Sequence, residues 1–503
     1  MKASTKIFLA LIFYTSLSTF FFQNSFAQLV SDFHVNEDST SYSQYAAKVG
    51  SDQNGNFVIV WYDSRTSENP RISAQRYNQK AQKIGNNFQI NNDQYQAFPS
   101  LHVRENGSFI VAWSVVQTKF KIFNSSGLPI TNEIIISDSS GMISSIGGDS
   151  YGNFVIVWEQ YNSALKYQIY CQLIDSSGKL IGSKIKVNDD NLDIHHKNPD
   201  ITIRNDGSFI VTWQDSRPPS VQNSEDIYMQ MFSKKGTPIG NNIKVSDDTV
   251  RYNKQSEAKI SSDTSGRFCI SFTEFILNEV QSNIVCQLYH PDGSRQGNNF
   301  NIAGSIISEF GGVIFKKENG DMVSGYSYYS NRYEPYFQRI NSQGNLTGNG
   351  YLVSTEFSFA DKYFNDIAVW DDRIISVWQD KRNGNYDIYC NIRSYSNPDS
   401  TVNIQNISTE IPNEFKLFQN YPNPFNNTTQ IRFDIYTNDQ YSMSVYNNLG
   451  QKIKEIFKNY LSPGTYKISF ESGELSSGVY HYILSSPNKI RKKRLVKSFV
   501  LIK

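Results

Sequence analysis

A short stretch, Gly55–Trp61 (GNFVIVW), returns six more times along the chain. Its echoes are Gly107–Trp113 (GSFIVAW), Gly152–Trp158 (GNFVIVW), Gly207–Trp213 (GSFIVTW), Gly266–Phe272 (GRFCISF), Gly320–Tyr326 (GDMVSGY) and, without the glycine, Ile374–Trp378 (IISVW). A return every fifty residues or so is the mark of a repeat architecture. Each copy leaves an Asp/Asn-rich glycine turn and enters a run of β-branched and aromatic residues, the pattern of a strand leaving a hairpin. The repeating unit is therefore β.

Four strands are expected in each repeat: one before the glycine, the GNFVIVW strand, a third typified by DIYMQMF (Asp226–Phe232) and a fourth after a second glycine turn. Four antiparallel strands at this period predict a β-propeller blade. The seventh repeat has no fourth strand after Cys390, whereas Phe33–Asp38 (FHVNED) stands alone near the N-terminal end. The expectation is an all-β chain: a seven-bladed propeller of four-stranded blades, closed by that N-terminal strand so that no long sheet edge stays unpaired, then a small immunoglobulin-like β-sandwich. The expected boundaries are a signal peptide over 1–27, the propeller over 28–398, a linker over 399–412 and the second domain over 413–503.

Lys2 and Lys6 before the apolar run Ile7–Phe22, then Ser25-Phe26-Ala27, read as a secretory signal. No later run is long and apolar enough to span a bilayer. With a net charge of +1 and 19% charged residues, nucleic acid is not an expected partner. Of the four cysteines, Cys171, Cys286 and Cys390 hold one position in three repeats, too far apart for a disulfide. Cys269 with Cys286 is the one conceivable bridge, and buried free thiols are the plainer expectation.

The second domain opens with NYPNPFN (Asn420–Asn426) and continues through VYNNLGQKI (Val445–Ile453), LSPGTY (Leu461–Tyr466) and LSSGVYHYIL (Leu475–Leu484) to a last strand bearing lysines. In this order the motifs of Phe415–Lys503 resemble the type A C-terminal sorting domain of the type IX secretion system. The resemblance implies passage through the periplasm to secretion or surface attachment, with the type IX machinery as partner. It also implies a sorting signal that includes Tyr421, Pro422, Asn423, Pro424, Phe425, Gly478 and Tyr480.

Function must come from the loops that the sheets hold. Tyr42, Tyr45, Tyr95, Tyr252 and Tyr363, in inter-blade loops of one face, are candidate ligand-binding residues: they either stack on sugar rings or cover the ends of their own blades. Asp63-Ser64-Arg65, Asp215-Ser216-Arg217 and Asp380-Lys381-Arg382 repeat after three tryptophans. Arg65, Arg217 and Arg382 are candidate ligand residues, or framework arginines that meet the aspartate opening the next strand, Asp226 or Asp387. His195-His196 with Asp189, Asp190 and Asp193 has metal-ligand residue types, but neighbours in an extended segment point apart, and neither a metal nor a cofactor is expected. No catalytic motif of nucleophile-elbow, zincin or phosphate-loop type occurs. The expected function is binding or adhesion to a glycan or another extracellular polymer or protein. The alternatives are a carbohydrate-active hydrolase or lyase working through loop carboxylates, and a structural surface-layer component.

Overall fold

The computed structural model describes residues 30–503 except 38–40, 66–69, 92–96, 115, 138–140, 163–165, 218–224, 248–253, 276–281, 307–312, 317–319, 330–331, 355–357, 359, 396–403, 409–411, 438, 462, 473–474 and 487–492. The expected signal peptide, Tyr95 and Tyr252 lie outside the described residues. All regular structure among the described residues is β, in nine four-stranded antiparallel sheets.

Seven sheets come from the repeats. Sheets 1 to 6 span 44–89, 97–135, 141–186, 196–244, 254–306 and 313–352, each with its strands in chain order. Sheet 7 is Lys362–Trp370, Arg373–Asp380 and Asp387–Ser394, and its fourth strand is Val30–His34. The second strand of a repeat is buried along nearly its whole length, as in Phe57–Asp63 and Phe209–Asp215. It lies between two flanking strands with a neighbouring sheet on either face, so it reads as a continuous apolar run rather than an alternation. The tryptophans that close it, Trp61, Trp113, Trp158, Trp213 and Trp378, are fully buried. Gly55 before it has φ +77°, a left-handed conformation a side chain resists, and a Cβ there would strike the Trp370 ring.

The cores lie between sheets. Val58, Val60 and Ile72 of sheet 1 pack with Phe109, Val111 and Trp113 of sheet 2. Val49, Phe57 and Trp61 of sheet 1 also pack with Ile375, Val377 and Cys390 of sheet 7, and with Val35 beyond the N-terminal strand. The first strand of each sheet rests on the first strand of the next, and that of sheet 7 rests on that of sheet 1. Trp370 Nε1 donates to the Gln53 carbonyl at 3.0 Å, and Arg373 donates to the Gln79 carbonyl at 2.6 Å.

One glutamine organises the outer half of five sheets. Gln75, Gln172, Gln230, Gln287 and Gln338 each donate through Nε2 to the next residue's carbonyl and to the carbonyl of a glycine in the fourth strand: Gly85, Gly182, Gly240, Gly297 or Gly348. Sheet 2 has Lys121 at this place, donating to the Ile90 carbonyl, and its fourth strand shrinks to Ile134–Ile135. Sheet 7 has Asn391, whose amide reaches Asp32 of the N-terminal strand at 3.2 Å.

The N-terminal strand begins three residues earlier than expected from the sequence, at Val30, and Asn36 follows it as a cap. Asn36 Oδ1 accepts the Ile388 N–H at 2.8 Å, as Asn91 accepts from Ile72 and Asn188 from Ile169 at the same point of sheets 1 and 3. All four cysteines are free and buried. Cys269 opposes Leu288 while Cys286 opposes Ser271, so the register holds the two thiols off each other.

The remaining two sheets share one core, with Phe433 stacked on Phe457 and Tyr466, and Phe499 against Phe425, Phe470 and Tyr482. The segment expected to be a linker contains a strand, Ile404–Ser408, which takes the open edge of Gly464–Glu471. Lys416–Leu417 pairs with Thr428–Ile435 in the first sheet, and Tyr421 and Gln430 exchange backbone hydrogen bonds. Asn423 and Phe425 then bond Val500 and Ile502 at the edge of the second sheet. The NYPNPFN motif thus crosses the open side of the sandwich and covers an edge of each sheet, the kind of exposed ladder that invites wrong pairing.

Candidate functional site

Where a second strand ends and a third begins, and where a first strand starts, the chain reaches one common end of its sheet. At that end Tyr45 faces Tyr62 across sheet 1, Tyr329 faces Tyr333 across sheet 6, and Tyr363 opens the first strand of sheet 7. Sheets 6, 7 and 1 bring these side chains into a row. Ring centroids are 6.3 Å apart from Tyr62 to Tyr45, 5.8 Å to Tyr386, 5.8 Å to Tyr363, 4.6 Å to Tyr333 and 4.9 Å to Tyr329. Tyr45 is 36% exposed and the other five are half-buried. The Tyr363 and Tyr386 hydroxyls bond each other, and burial raises the pKa of both, so both rings stay uncharged.

Of the expected tyrosines, Tyr45 and Tyr363 belong to this row. Tyr42, 42% exposed, stands next to it, its carbonyl accepting from Asn385 Nδ2 at 3.0 Å. Tyr62, Tyr329, Tyr333 and Tyr386 were not singled out from the sequence, although aromatic residues at the strand ends, as in WYD, YSYYSNRYEP and NYDIY, signal them.

The arginines turn inward. Arg65 Nε meets Asp63 at 2.8 Å, Arg217 meets Asp215 at 2.7 Å and Arg382 Nε meets Asp380 at 2.8 Å. Each thus pairs with the aspartate of its own motif and not with Asp226 or Asp387. The reason is donor demand: Asp63, Asp215 and Asp380 are fully buried carboxylates, whereas Asp226 is served by Lys244 at 2.9 Å and Asp387 by Asn36 at 3.0 Å. The Arg217 and Arg382 guanidinium groups lie over Tyr228 and Tyr389 at 4.2 and 4.0 Å.

His195 and His196 both meet the backbone of Tyr167, with His196 Nδ1 3.4 Å from its carbonyl. His195 Nδ1 accepts from the Tyr167 N–H at 3.3 Å, while fully buried His196 bonds Asp190 at 2.9 Å and lies 3.5 Å from Asp215. Asp190, His196 and Asp215 could converge on a cation. Arg217 already stands 3.0 Å from the same Asp190 oxygen and 2.7 Å from the same Asp215 oxygen, so the cluster is a charge-paired network. Burial opposes ionisation of Asp190, but its bond to His196 and the His196 and Arg217 charges outweigh it, taking its pKa down to about 2.

Two further charged groups tie sheets together. Asp366 accepts the Val49 N–H at 3.0 Å, and Asp200 accepts the Ile260 N–H at 2.9 Å and the Ser145 hydroxyl at 2.6 Å. Glu159, 2% exposed, accepts the Asn198 N–H at 2.9 Å, and burial pushes its carboxyl up to about 7. A carboxyl near neutrality is poised for acid–base work, but this one is sealed between sheets 3 and 4.

In the C-terminal domain Tyr421 is 81% exposed, and Pro422, Asn423 and Pro424 are exposed beside it. Buried Asn420, bonded to Tyr482, Pro422 and Thr429, and buried Phe425 pin this turn at both ends. Gly478 and Tyr480 are half-buried, with Tyr480 stacked on Phe499 at 5.5 Å.

No curated protein matches the chain. Among solved structures it is similar to a protein of unknown function from Dyadobacter fermentans, at 11% identity and TM-score 0.46 over 73% of this chain and 98% of that one. It is also similar to the polysaccharide lyase Uly1, at 8% identity and TM-score 0.47 over 73% and 92% of the two chains. The α-L-arabinanase of Penicillium chrysogenum has 10% identity and TM-score 0.41 over 60% and 94%. Residues 419–498 match the model of the secretion system C-terminal sorting domain, so this part of the chain belongs to the type IX sorting-domain family, which directs the protein to the cell surface or into the surroundings.

Proposed function

We propose that the seven repeat sheets form one seven-bladed propeller completed by Val30–His34, and that its tyrosine-bearing face binds a glycan outside the cell. In this layout residues 1–27 are a signal peptide, the propeller ends near residue 398 and the C-terminal domain is an immunoglobulin-like sandwich that begins with the Ile404–Ser408 strand. The reading rests on the row of six tyrosines. Aromatic rings offer a flat apolar surface to sugar C–H groups and hydroxyls to their oxygens, at little cost in side-chain entropy. Export brings that face to extracellular polymers. The three motif arginines are framework, and binding is preferred to catalysis because Glu159, whose carboxyl burial pushes up to about 7, is out of a substrate's reach.

The test is retention of the purified full chain in gels cast with different polysaccharides, with the same mixtures assayed for new products. Retention without products, lost on Tyr363→Ala with Tyr386→Ala, supports the reading. Turnover abolished by replacing an acidic loop residue makes the protein a carbohydrate-active enzyme instead.

A further inference from the structure

The tyrosine row crosses from sheet 1 over sheet 7 to sheet 6, and its six rings follow one another without a gap wider than 6.3 Å, each tilted by 33–61° to the next. The sector over sheets 3 to 5 differs. There Glu225 is paired with Lys197 at 3.6 Å and with Lys254 at 3.2 Å, and Tyr161 stacks on Tyr167 apart from the row. Charged groups around the row are largely committed within the protein. Glu334 holds Lys362 at 2.9 Å and Arg332 at 2.5 Å, and Asp361 accepts the Tyr333 N–H at 3.1 Å. The Lys381 ammonium lies over the Tyr386 ring at 5.6 Å. With the Tyr363 and Tyr386 hydroxyls bonded to each other, the row offers mainly ring surface.

We infer that the row seats an extended neutral polysaccharide, several pyranose rings at once, rather than a single sugar or an acidic glycan. This rests on the glycan-binding reading above. Consecutive rings, none more than 6.3 Å from the next, reward every further sugar residue laid along them. Equatorially substituted neutral pyranoses, as in β-glucans, xylans and mannans, present the C–H faces that such rings cover, and they bring no charge to be desolvated.

The test uses the full chain with barley β-glucan, xylan, glucomannan, alginate and polygalacturonate, then with di-, tetra- and hexasaccharides of whichever polymer is retained. The expected result is retention by a neutral polymer, with the hexasaccharide at least about tenfold tighter than the disaccharide. Tyr363→Ala and Tyr386→Ala should each weaken binding by roughly tenfold at an unchanged melting temperature. Tyr386→Phe should keep most of the affinity, and Tyr161→Ala, outside the row, should change nothing. Retention by acidic polymers alone, or a disaccharide as tight as the hexasaccharide, overturns the inference and leaves glycan binding standing. No retention by any of the five polymers, and no product from them, removes the glycan-binding reading as well.

Discussion

At the scale of single residues, the chain repeats its solutions as well as its strands. The glutamine at the centre of five third strands closes two carbonyls that the fourth-strand bulge would otherwise leave open. Gln230 also accepts from Asn242 Nδ2 at 2.6 Å, and Asn242 in turn bonds Asp189 of the neighbouring sheet. Gln230→Leu should therefore cost about 1–3 kcal/mol in urea unfolding, because it strands buried acceptors rather than removing one bond. Glu159 gives a pH-dependent prediction. Its folded pKa of about 7 lies above the ordinary 4.5, so the folded protein holds the proton more tightly than the unfolded chain. Stability from this group is full below about pH 4.5 and is lost as pH rises through 7, by an amount on the order of 3 kcal/mol. Glu159→Gln should flatten that decline and leave the variant more stable than the wild type at pH 8. Parallel stability profiles for the two proteins would contradict this account of Glu159.

At the scale of elements, the N-terminal strand does the work of a fourth strand while lying more than three hundred positions from its partners. It supplies Asp32 to Arg382 and Asn391 and, through Asn36, the cap on Ile388. Removing residues 30–36 should cost several kcal/mol and lower the melting temperature, since it exposes the edge of Asp387–Ser394 and the apolar surface under Val35. An unchanged melting curve would show that this strand adds nothing. In the C-terminal domain the motif divides by burial. Phe425→Ala should cost about 3–5 kcal/mol, whereas Tyr421→Ala should stay within about 0.5 kcal/mol, both read by thermal unfolding. Part of the expected linker proved to be a strand because Ser, Asn and Thr suit an edge whose specificity comes from its partner ladder. Composition alone could not show that ladder.

At the scale of the whole molecule, a sorting domain is joined to a sheet array whose first and last members touch. Deleting Phe415–Lys503 should leave the sheet array folded but abolish its appearance outside the cell, measured by immunoblot of culture medium and surface fractions. Undiminished export of the truncated chain would show that the signal lies elsewhere. Much of this architecture was legible in the residues. The fifty-residue return, the apolar second strands, the glycine turns and the unmatched FHVNED segment are local patterns, and local patterns follow from the period of a strand and the conformations open to glycine. The sorting domain was legible for a similar reason, since its motifs are contiguous and ordered. The pairing of Arg65, Arg217 and Arg382 with their own motif aspartates was not, because it depends on which carboxylates the fold buries completely. Nor was the tyrosine row: Tyr45 and Tyr62 meet Tyr386 and Tyr363 only because the two ends of the repeat array are neighbours in space. The sequence by itself determined strands, turns and the order of sheets, which are properties of short windows. The tertiary structure alone decided which aromatic side chains share a surface, because that surface is assembled from three sheets and no window of the chain contains it.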